Sequence, residues 1–60
     1  MPIWEYMRKC IHEAGRSIAL AELMTSTGDR SKVLDHLRRA QSWMDRAYDA
    51  IEAEAGGRES

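Results

Sequence analysis

Apolar residues spaced alternately by three and four positions run through this chain twice, and a single five-residue polar break separates the two runs. The first run is Trp4, Met7, Ile11, Ala14, Ile18 and Ala21; the second is Val33, Leu37, Ala40, Met44, Ala47 and Ile51. Spacing of this kind lines one face of an α-helix and, sustained over six positions, predicts a left-handed, coiled-coil-like seam. The break, Thr25-Ser26-Thr27-Gly28-Asp29, consists of residues that cap helices and turn chains. Gly56-Gly57 reads as a helix stop ahead of a short tail. Pro2 suits a first helical turn and Glu5 suits the positive end of a helix dipole. Helix 1 is therefore expected over about 2–25, a loop over about 26–29 and helix 2 over about 30–55, within one domain spanning 1–55, followed by a flexible tail at 56–60. Asp29, with Ser31 as competitor, is the expected N-cap of helix 2, because its carboxylate can accept otherwise unpaired amide protons.

So short a loop admits only antiparallel neighbours. Folding about Thr27–Gly28 pairs Ile18 with Leu37, Ala14 with Ala40, Ile11 with Met44, Met7 with Ala47 and Trp4 with Ile51. Alternating large and small side chains interdigitate and help to specify one register. Ala14 opposite Ala40, with Gly15 adjacent, would let the two backbones approach closely. The expected fold is all-α: an antiparallel two-helix hairpin.

A chain of 60 residues buries only about 60% of the surface that its unfolded form exposes, so hairpins this small need reinforcement. Cys10 is the single cysteine, which leaves no internal disulfide, and His12 and His36 show no zinc-site spacing. Self-association remains, and a homodimeric four-helix bundle is the expected assembly. Leu20, Leu23 and Leu34 fall off the two stripes near the loop end, and with Met24 and Ala19 they make late helix 1 apolar nearly all round. Tyr6 and Trp43 are also off-stripe and large. Tyr6, Leu20, Leu23, Met24, Leu34 and Trp43 are thus the candidate residues for a dimer interface or for docking a different protein.

Other functions find little support in the residues. Cys10 would act as a nucleophile only beside a base, and His12, two residues on, projects elsewhere around the helix. The expected roles are a small apolar flank of the seam for Cys10 and solvated positions for both histidines. No phosphate-cradling loop and no two-Glu-plus-ExxH pattern occurs, so no catalytic, cofactor-binding or metal residue is assigned. Lys32, Arg39 and Arg46 recur every seven residues with Arg38 nearby, a pattern able to track phosphates. Asp35, Asp45 and Asp49 interleave with them, as Glu5 and Glu13 do with Lys9, so neutralising pairs such as Asp35–Arg39 and Arg46–Asp49 are expected instead. Nine basic against ten acidic residues give a net charge of −1, which makes nucleic acid the weaker expectation. No apolar run approaches the ~20 residues of a membrane span, and nothing resembles a secretory signal. A cytoplasmic location is expected.

In length, hairpin form and alternation of Ala with large residues, the chain resembles the plasmid copy-number protein Rop. That likeness implies a four-helix homodimer that binds paired RNA loops, with Arg8, Lys9 and Arg16 on the RNA-reading helix. Leu20, Ala21, Met24, Gly28, Val33, Leu37 and Ala40 also fall at positions similar to the small and large sites of a tetratricopeptide helix pair, without that repeat's opening aromatic and closing proline. Neither likeness assigns a functional residue. The expected function is a non-catalytic regulatory or adaptor role through protein–protein binding, of the kind that phage-, plasmid- or operon-encoded modulators exert. Rop-like RNA binding and a structural assembly subunit are the alternatives.

Overall fold

The computed structural model describes residues 2–59, with side chains through Ala55, and consists of two helices: α1, Ile3–Thr25, and α2, Arg30–Glu59. They pack against each other as a hairpin. The principal extents are 49 × 17 × 11 Å, and the smallest matches the thickness of one helix. The molecule is a plank with two broad faces and no second layer on either.

Local chemistry accounts for each boundary. The amide of Tyr6 donates to the carbonyl of Pro2 at 3.3 Å, opening α1 where proline costs no hydrogen bond. At the other end the amides of Ser26, Thr27 and Gly28 donate to the carbonyls of Leu23, Met24 and Thr25. The hydroxyls of Thr25, Ser26 and Thr27 donate three residues back to Glu22, Leu23 and Met24. Carbonyls that have lost their helical partners are thereby satisfied. Gly28 then reverses the chain at φ +70°, a left-handed conformation that a side chain would strain. Asp29 caps α2 as expected: its Oδ1 accepts the Lys32 amide at 3.1 Å, the N3 position of the helix.

α2 continues through Gly56-Gly57 to Glu59, four residues beyond the expected stop at 55. Glycine in a helix costs only about 1 kcal/mol relative to alanine and does not by itself end one. The tail expected at 56–60 is thus helical to Glu59, and Ser60 lies outside the described residues.

The seam between the helices is narrower than the two stripes. Its buried members are Cys10, Ala14, Ser17 and Ala21 of α1 and Ala40 and Ala47 of α2. Half-buried Ile3, Met7 and Met24 extend the first line, and Val33, His36, Trp43 and Ala50 extend the second. Both lines keep the three-four spacing of a coiled coil, but on each helix the line sits one residue round from the expected stripe. Met7, Ala14, Ala21, Val33, Ala40 and Ala47 belong to both. Between them, Cys10 and Ser17 take the places expected for Ile11 and Ile18, and His36 and Trp43 those expected for Leu37 and Met44. The reason is steric: all six buried residues are alanine, serine or cysteine, and small side chains let two backbones close together. Gly15 contributes nothing to that approach, since a Cβ built there would meet no atom within 4 Å.

Candidate interaction surface

The displaced stripe residues form an apolar surface on the hairpin. Met7 and Ile11 of α1 and Met44, Ala47, Tyr48 and Ile51 of α2 line a shallow groove of about 260 Å³ along one broad face. Ile11 and Met44, and Met7 and Ala47, which the expected antiparallel register pairs, all line this groove. A seven-residue step returns a helical position to nearly the same side. Trp4 and Ile18 therefore flank Ile11, and Leu37 precedes Met44, on the same face. Trp4, Ile11 and Tyr48 are each more than three-fifths exposed, and Ile18, Leu37 and Met44 more than two-fifths. Trp4, Ile11, Ile18, Leu37 and Met44, seam residues by expectation, are surface residues in the folded hairpin, and Tyr48 joins them there. Ile51 is half-buried at the groove's end.

The opposite face differs in chemistry. Tyr6 and Trp43 are half-buried there along the seam's other margin. The neighbouring Cys10 side chain holds the Tyr6 phenol above its ordinary range, aided by desolvation and opposed by the nearby positive charge of Arg46. The Arg46 guanidinium lies over the Trp43 ring, 4.6 Å from its centroid, a cation–π arrangement. Glu13 and Arg16 pair at 3.8 Å. Among the described residues, the expected contacts Glu5–Lys9, Lys9–Glu13, Asp35–Arg39 and Arg46–Asp49 do not close to ion-pair distance. At exposed positions each is worth too little to fix two long side chains.

The six candidate interface residues do not form one patch. Met24 and Trp43 are half-buried within the seam lines and Tyr6 beside them, while Leu20, Leu23 and Leu34 are exposed. Helical geometry turns Leu23 away from α2 altogether. Cys10 lies at the centre of the seam with no exposed surface, where a thiol acts as a small apolar filler. His12 is exposed, as expected. His36, expected in solvent, is half-buried, and its Nδ1 is buried with no hydrogen-bond partner. Residue reasoning missed Cys10, Ser17, His36 and Trp43 as seam residues because it ranked hydrophobicity above size. The signal was present in the sequence: Cys10, Ala14, Ser17 and Ala21 form an uninterrupted small-residue line opposite Ala40 and Ala47.

No grouping of His, Cys, Asp or Glu among the described residues could hold a metal ion. No helix among them is long and apolar enough to cross a membrane. Compared with protein-family models, curated proteins and solved structures, the chain matches none.

Proposed function

We propose that this chain is a non-catalytic regulatory or adaptor protein that works by binding protein through the grooved apolar face, in the manner of helices assembling into a four-helix bundle. The observation that carries this reading is the concentration of Trp4, Ile11, Ile18, Leu37, Met44 and Tyr48 on one face of a plank, where the described residues leave them exposed. Apolar patches rimmed by polar residues mark interaction sites, and aromatic residues at their edges often dominate the binding energy.

Rop-like RNA binding is the second reading, favoured by the cationic row of Lys32, Arg39 and Arg46 with Arg46 stacked on Trp43. The two readings predict opposite responses in one experiment. Binding activity of Ile11→Glu is compared with that of Arg39→Ala and Arg46→Ala across a salt titration. Protein binding through the apolar face is lost in Ile11→Glu, kept in the arginine variants and little changed by salt. Loss confined to the arginine variants, with affinity falling steeply as salt rises, would overturn the proposal in favour of nucleic acid.

A further inference from the structure

We infer that the occupant of the grooved face is the same face of a second copy of this chain, so that two planks close into a four-helix bundle; this rests on the protein-binding reading above. Size is the first argument. At these exposures, the six large side chains leave on the order of 600 Å² open to solvent, approaching the about 800 Å² per partner that a standard stable interface buries. Half-buried Met7 and Ile51 at the groove add to that area.

Periodicity is the second argument. Trp4, Ile11 and Ile18 recur every seven residues, and so do Leu37, Met44 and Ile51. A strict seven-residue repeat stays in line only on helices that supercoil together, so this stripe calls for a partner surface of the same pitch. A second copy supplies that pitch by construction. The layers also alternate. Ile11 with Met44 and Ile18 with Leu37 are bulky, and Ala14 lies between them on the same side. A two-fold-related copy therefore offers knobs and holes to match its own.

Charge is the third argument. No charged residue lines the groove, so docking strips no ion of its water. With a net charge of −1, two copies barely repel each other. Nothing in the groove would select a partner by charge, Arg8 standing outside it beside Trp4, whereas shape and period select the face itself.

The test is sedimentation equilibrium of the full chain over a range of micromolar concentrations, with circular dichroism to follow helicity. Wild type is expected to be a dimer. Ile11→Glu and Ile18→Glu are expected to be monomers, because each would bury a carboxylate, while Leu23→Glu stays dimeric because Leu23 faces away from α2. Should the glutamate variants lose their helicity, Ile18→Ala serves in their place, and its dissociation constant is expected to rise about tenfold on losing the buried side chain. A wild-type monomer, a larger assembly, an unweakened Ile18→Ala dimer, or equal loss in Leu23→Glu would each overturn the inference. A wild-type monomer that still binds another protein through Ile11 removes only the second copy. Binding that depends on the arginines alone removes the protein-binding reading as well.

Discussion

The two sides of the residue pattern do different jobs. Inside the hairpin, α1 and α2 meet through Cys10, Ala14, Ser17, Ala21, Ala40 and Ala47. On the grooved face, the isoleucines, leucine, methionine, tryptophan and tyrosine stay in water. Small residues give close approach but little buried apolar area, and area is the main source of stability, at ~25 cal/mol per Å². About half of the surface of these large side chains therefore stays uncovered within one copy. A seam made of small side chains fixes the geometry of the pair; a face made of large ones supplies the energy when something covers it. The same stripe thus serves folding through its alanines and association through its larger members.

This contrast can be broken at the seam first. Ala14→Leu or Ala40→Leu inserts three carbons where exposure is 4% and 2%, and is expected to destabilise the fold by about 1–3 kcal/mol through overpacking. Ala53→Leu, at an exposed position, should be nearly neutral. Urea unfolding of the three variants checks this, and equal tolerance at all three would mean that the helices are not in close contact at the alanines.

A smaller effect sharpens the comparison from the open side. Gly15 is exposed within α1, and an added Cβ would meet nothing within 4 Å. Gly15→Ala should therefore stabilise the hairpin by about 0.5–1 kcal/mol, through helix propensity and a less flexible unfolded chain. The same urea series measures it. A loss of stability would place Gly15 against a surface, as the original expectation of close approach required.

The sequence made the hairpin legible because its signals are local and agree with one another. The polar break from Thr25 to Asp29, the positive φ at Gly28 and the Asp29 cap each act within a few residues. The hairpin followed from the loop's brevity, and Ile11, Met44, Met7 and Ala47 all line the groove. Rotation of each helix about its own axis was not legible in the same way. Two neighbouring stripes share Met7, Ala14 and Ala21, and the choice between Ile11 and Ile18 or Cys10 and Ser17 as inner residues depends on how close the backbones come. That distance is a property of the pair, which neither helix encodes alone. The C-terminal boundary was misjudged for a simpler reason: two glycines weaken a helix without ending it.

Coupling of stability to the covering of the grooved face is read directly from the melting temperature of the wild-type chain as a function of concentration. Thermal unfolding followed by circular dichroism from about 1 µM to about 1 mM should show a melting temperature that rises steadily with concentration, because unfolding is then linked to dissociation. A melting temperature constant over that range would contradict this coupling, since the hairpin would then be stable with its large apolar residues left in water.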